Sequence, residues 1–138
     1  VLVVVDANTI FSALLSKGRT FEVFLDNSLL RRVEFIAPEF QFLEIGKHID
    51  EILERSSLSS QELARVFGFI KEEIEFIPFD EFIRYAAEAE TLAPHAKDVH
   101  YFALALAYNA AIWSNEKAFK NQSEVRIYTT AELLALVS

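Results

Sequence analysis

Residues 1–15, VLVVVDANTIFSALL, decide how the rest of the chain is read. The run at 1–5 is apolar without alternation and mostly β-branched. That predicts a strand covered on both faces, as in a parallel sheet. Asp6 follows without a linker, and the apolar spacing then becomes helical, with Ile10, Phe11, Leu14 and Leu15 on one side. In parallel α/β sheets, ligands gather where a strand ends. Asp6 stands at such a place.

The same alternation continues along the chain. "RVEFIA" (32–37), "IEFI" (74–77), "AAIWS" (110–114) and "VRIYT" (125–129) read as further strands. A helix is expected from Arg19 or Thr20, after Gly18 stops the first. Pro38 opens a longer one to about Arg55, since Pro is favoured in a first helical turn. Ser59 and Glu62 have the spacing of a capping box for the next. Residues 80–92 and the Ala-rich stretch after Asp98 read as helices, residues 115–121 as a short helix, and 130–137 as a closing one. This order predicts an α/β layered fold around a mainly parallel sheet. No repeat and no Pro-, Gly- or Ser-rich linker interrupts it, so residues 1–138 are expected to form one domain.

Cysteine is absent, which excludes disulfides, thiolate nucleophiles and zinc–thiolate sites. His48, His95 and His100 lack the H-x-x-x-H spacing of a histidine metal site, and surface or packing roles are expected for them. No window approaches the ~20 apolar residues of a membrane span. The opening apolar run is too short for a signal peptide, so the cytoplasm is the expected location. The net charge of −8 argues against a simple basic nucleic-acid-binding module. It is compatible with carboxylates gathered around divalent cations, whose charge inverts the local balance.

The placement of the acids is more informative than their number. Asp6 ends the first strand, and Ser114, Asn115 and Glu116 end "AAIW". Asp98 begins the Ala-rich helix that feeds that second strand. Glu44 lies in the helix opened by Pro38, sharing a face with Phe40 and Leu43 and spaced i, i+4 from His48. Clustered buried carboxylates are costly unless cations or protons compensate them. Hard ions such as Mg²⁺ or Mn²⁺ favour an all-oxygen environment. Each acid alone also has a simpler reading. Asp6 and Asp98 suit helix N-caps, Glu44 suits a pair with Lys47 or His48, and Glu116 suits a helix dipole. The residues by themselves leave both readings open.

Three segments, in order, resemble the PIN domain, the fold of many metal-dependent ribonucleases including VapC-type toxins. "VVVDANTIFSALL" resembles its opening strand, acid and helix. "APEFQFLEIGKHIDEIL" resembles the segment that carries a Glu. "AKDVHYFALALAYNAAIWSNEKAF" resembles its C-terminal signature of Asp, Ala-rich helix, strand, then Ser/Thr-Asn-Asp and an aromatic residue. The resemblance spans essentially the whole chain and implies a three-layer α/β/α fold. It implies an acidic quartet of Asp6, Glu44, Asp98 and Glu116 around Mg²⁺ or Mn²⁺. Asn8, Ser114 and Asn115 would support that site, and Lys97, Lys117 and Lys120 would meet an RNA substrate. It also implies a homodimer and, for a toxin, an antitoxin protein as partner. The chain departs from the family pattern in having Glu116 for the usual Asp, and Ala118 where many members carry a further acid.

Two other classes are weighed against a ribonuclease. One is a PIN-fold nucleic-acid-binding or regulatory module with weak or no nuclease activity, which the Glu116 and Ala118 departures favour. The other is a phosphatase with Asp6 as nucleophile. Such enzymes want D-x-D after the first strand, whereas this chain has Asp6-Ala7-Asn8.

Overall fold

Val3, Val4 and Val5 are each fully buried and enter two different apolar clusters in alternation. This is the burial on both faces that an unbroken apolar strand requires. The computed structural model describes residues 1–16 and 18–138. Its sheet contains β1 (Leu2–Val5), β2 (Glu34–Pro38), β3 (Ile74–Ile77), β4 (Ala111–Trp113) and β5 (Ile127–Tyr128). The strand order is β3-β2-β1-β4-β5 and every pairing is parallel.

Eight α-helices flank the sheet among the described residues: α1 (Ala7–Ser16), α2 (Arg19–Leu30), α3 (Glu39–Lys47), α4 (Ile49–Arg55), α5 (Ser60–Glu72), α6 (Ala86–Glu90), α7 (Val99–Tyr108) and α8 (Thr130–Val137). Val3 and Val5 share a cluster with Leu14 of α1, Phe24 of α2, Leu63 of α5 and Leu133 of α8. Val4 and Ile112 share the opposite cluster with Ala89 of α6, Phe102 of α7 and Phe119. The result is the three-layer α/β/α arrangement expected from the sequence. No helix among the described residues is long and apolar enough to cross a membrane.

The topology places the chemistry. From β1 the chain runs outward to β2 and β3, then crosses back to β4 on the other side of β1. The direction of winding therefore reverses between β1 and β4, which opens a crevice at their carboxyl ends. Val5 pairs with Trp113 in register, so Asp6 and Ser114 leave the sheet side by side.

Trp113 anchors that edge. It is fully buried, with ring centroids 5.0 Å from Phe24 and 5.4 Å from Phe35. Its Nε1–H donates to Thr130 Oγ1 at 3.1 Å. The Asn115 amide and Thr130 are joined by two hydrogen bonds of 2.8 Å, one in each direction. The turn after β4 is thus tied to the start of α8.

Several local expectations are corrected. The helix from Pro38 breaks at His48 (φ −106°, ψ 10°) into α3 and α4. Gly46 weakens the helix there, and the break lets Ile52 reach the core. Residues 80–92 are not one helix: 3₁₀ turns at Phe79–Glu81 and Ile83–Tyr85 precede α6. Phe82, between the two turns, is fully buried, so packing overrides the helical spacing. Residues 117–121 form a 3₁₀ turn. The expected strand at 125–129 contracts to Ile127–Tyr128. The Ser59–Glu62 capping box forms as expected. The first helix is seen to Ser16, and Lys17, where the sequence would extend it, lies outside the described residues.

Candidate metal centre

Asp6 is 4% exposed, and both its oxygens are engaged. Oδ1 accepts the Asn8 N–H at 3.2 Å, the bond of a helix cap. Oδ2 accepts the Ser114 hydroxyl at 3.0 Å. Ser114 Oγ in turn accepts the Glu116 N–H at 3.1 Å. Burial pushes the Asp6 carboxyl above its ordinary range, and the Asn8 and Ser114 hydrogen bonds oppose that rise. The hydroxyl therefore orients the first acid and the backbone of the last. Asn8 supports the site through its backbone, its own side chain being exposed. Ser114→Ala would leave a buried Asp6 oxygen without its donor. Mn²⁺ affinity should fall about 10–100-fold, as for other partners that orient ligands, with the fold intact. Titration calorimetry beside circular dichroism checks this.

Asp98 behaves differently. It is 3% exposed, its side chain makes no cap hydrogen bond at the start of α7, and its Oδ2 is buried without a partner. The cap reading therefore describes Asp6 and not Asp98. Burial raises the Asp98 pKa to about 6, with the charges of Glu116 and Asp6 adding to the rise and Lys97 and His95 opposing it. An unpartnered buried carboxylate oxygen facing two further acids fits a divalent cation, which would compensate all three.

Glu116 reaches over the strand end as far as His95, with Oε1 to Nε2 at 3.6 Å. Among the described residues, donor atoms of His95, Asp98 and Glu116 lie within 4.8 Å of one another. Asp6 and Glu44 are not members of that trio. The sequence reading placed His95 in a surface or packing role and so missed it. Its signal is the spacing: His95 stands three residues before Asp98, at the extended start of the 3₁₀ turn over residues 96–98.

Glu44 is more open than expected. Its side chain is 47% exposed and pairs with Lys47 at 3.4 Å, because α3 turns Gln41 and Ile45 inward and leaves Glu44 at the boundary. It nonetheless lines a cleft of about 390 Å³ with Asp6, Asp98, Lys97, Gln41 and Tyr101. Gln41 is fully buried there and neither polar atom of its amide has a partner. Tyr101 Oη accepts the Ala7 N–H at 3.4 Å, and burial pushes its pKa up. Neither was picked out from the sequence: a Gln on a helix is normally exposed, and a Tyr in an apolar helix reads as packing.

Of the three lysines, Lys97 lines the cleft and lowers the pKa values of Asp6 and Asp98. Lys117 is exposed. Lys120 is drawn to Glu132 of α8 at 3.0 Å. The Asn115 amide is bonded to Thr130 and fixes the turn, and the residue lines a small pocket with Asp6 and Glu116.

Together these features define a class: a parallel α/β protein whose acids converge at the switch point of the sheet. Residues 4–135 match the PIN domain (PIN_2), and the chain belongs to that family. PIN domains are typically nucleases and typically use divalent metals. A chain in the crystal structure of VapBC2 from Rickettsia felis bound to a DNA fragment from their promoter is similar in fold. Its TM-score is 0.69 at 16% identity, over 94% of this chain and 98% of that chain. No curated protein sequence matches the chain.

Proposed function

We propose that this chain is a Mg²⁺- or Mn²⁺-dependent ribonuclease that cleaves single-stranded RNA. The observation that carries this reading is the buried, unpartnered Asp98 Oδ2 beside Asp6 and Glu116 in a PIN domain. In this reading Asp98 and Glu116 hold the ion, and Asp6 does so on the side fixed by Ser114. When bound, such an ion supplies a lowered pKa for water and stabilisation of charge on phosphodiester oxygens. Glu44, across the cleft, holds water or the substrate's sugar edge. Lys97 and Lys117 attract phosphates into an otherwise acidic mouth. Lys120 contributes less, being held by Glu132.

A double Asp6→Asn, Asp98→Asn variant should lose metal-dependent cleavage of a mixed-sequence RNA. Cleavage at the wild-type rate would discard the assignment, and an inert wild type with Mn²⁺ bound would favour the binding-module reading.

The fold neighbour is part of a VapBC2 assembly, and we extend this to a toxin role with an antitoxin segment occupying the cleft. A basic side chain of that segment would take the place of metal charge. For a homodimer, Leu25, Leu29 and Leu30 of α2 and Leu136 of α8 offer exposed apolar surface, as do Leu43, Phe79 and Ile83 elsewhere.

A further inference from the structure

We propose that His95, Asp98 and Glu116 form a mixed nitrogen–oxygen cation position, and that His95 makes the site prefer first-row transition ions, Mn²⁺ among them, over Mg²⁺. The inference rests on the metal-dependent reading above and assigns a ligand that an all-carboxylate site would lack.

The backbone brings the three donors together. His95 is extended (φ −138°, ψ 155°) and its carbonyl accepts the Asp98 N–H at 3.0 Å, closing the turn. The two side chains therefore leave the same side of a short, hydrogen-bonded loop. Glu116 arrives from the end of β4, its N–H held by Ser114. Asp98 is the fixed member, buried with one oxygen unpartnered. His95 and Glu116 are the adjustable ones, with side chains 57% and 32% exposed.

The distances suit one ion. Neighbouring ligands of an octahedral ion, at about 2.1 Å from the metal, stand roughly 3 Å apart. The His95–Glu116 separation is 3.6 Å, and all three donors fall within 4.8 Å. Shifts of about an ångström by two partly exposed side chains close the set. The extra methylene of Glu116 relative to Asp is what lets its carboxylate stand beside His95.

The chemistry then separates the ions. Mg²⁺ is a hard ion that keeps several waters and takes carboxylate oxygens. Imidazole nitrogen instead suits ions further along the series from Mn²⁺ to Zn²⁺. An imidazole nitrogen added beside the carboxylates thus gives little to Mg²⁺ and more to Mn²⁺. If His95 only pairs electrostatically with Glu116, it contributes no nitrogen to the ion.

Mn²⁺ bound to the full chain, probed by electron spin-echo envelope modulation, distinguishes the two. The wild type should show ¹⁴N modulation from imidazole, and His95→Ala should lose it. Mn²⁺ affinity should fall about tenfold in that variant, in the range of a lost ligand interaction, with Mg²⁺ affinity by competition changing less than about twofold. Bound Mn²⁺ without ¹⁴N modulation, or modulation that persists in His95→Ala, overturns this inference and leaves the ribonuclease reading standing. Failure of Mn²⁺ to bind the wild type overturns both.

Discussion

Asp98→Asn is expected to reduce metal-dependent RNA cleavage by at least about 100-fold while making the metal-free protein more stable at neutral pH. The first effect follows from the proposed role of Asp98, since removing even a group that only orients a ligand costs about 10–100-fold. The second follows from its burial. In the folded chain the Asp98 pKa is raised from 3.8 to about 6. The folded state therefore keeps a proton that the unfolded state gives up. The group's stabilising contribution is fully present below pH 3.8 and is lost as pH rises through about 6. At pH 7.5 the ionised carboxylate costs on the order of 2 kcal/mol. Asp6 is shifted in the same direction and adds to the slope.

Asparagine keeps the shape and carries no charge, so the variant should gain stability at pH 7.5 and little at pH 4. Urea denaturation at the two pH values checks this. Adding Mn²⁺ should raise the wild-type midpoint at pH 7.5 and leave the variant nearly unmoved. Glu132 slopes the other way. Its pKa is lowered to about 2, chiefly by hydrogen bonds at the α8 cap, so its contribution is lost only as pH falls from 4.5 towards 2, below this window.

Trp113→Ala is expected to cost about 3–5 kcal/mol of stability, the range for deleting a large buried aromatic. The side chain is fully buried and packs against Phe24 and Phe35, whose rings also touch each other. It also donates to Thr130, which holds Asn115. Its loss therefore loosens Asn115, the residue after Ser114, and with it the hydroxyl that orients Asp6. Mn²⁺ affinity should drop although Trp113 touches no acid. Trp113→Phe keeps most of the packing and removes the Nε1–H bond, so it should cost nearer 1 kcal/mol for the lost hydrogen bond. Denaturant titrations of the two variants separate packing from hydrogen bonding.

The centre of the sheet was legible in the sequence because β1 and β4 are unbroken apolar runs that need cover on both faces. VLVVV and AAIW could hardly be anything else once helices alternated with them. The connecting elements were less legible where a single side chain overrules spacing. Phe82 takes the space inside the second cluster and breaks residues 80–92 into 3₁₀ turns. Ile52 reaches the core only because the chain bends at His48.

The site divides in the same way. That Asp6, Asp98 and Glu116 would lie near one another was legible because each sits where a strand or its feeding helix meets the carboxyl edge of the sheet. That His95 would join Asp98 and Glu116 was not, because a 3₁₀ turn brings it beside Asp98 and Glu116 arrives from a distant strand. Glu44 was legible by resemblance, yet its spacing could not reveal that Gln41 and Ile45 would take the inward face of α3.

Crystals of the full chain grown with Mn²⁺ decide whether Asp98 holds an ion. An anomalous difference map should show a peak at the carboxyl edge of β1 and β4, within coordination distance of Asp98 Oδ2 and reached by Glu116. A fully occupied Mn²⁺ peak elsewhere, with Asp98 Oδ2 still unpartnered, would contradict this placement.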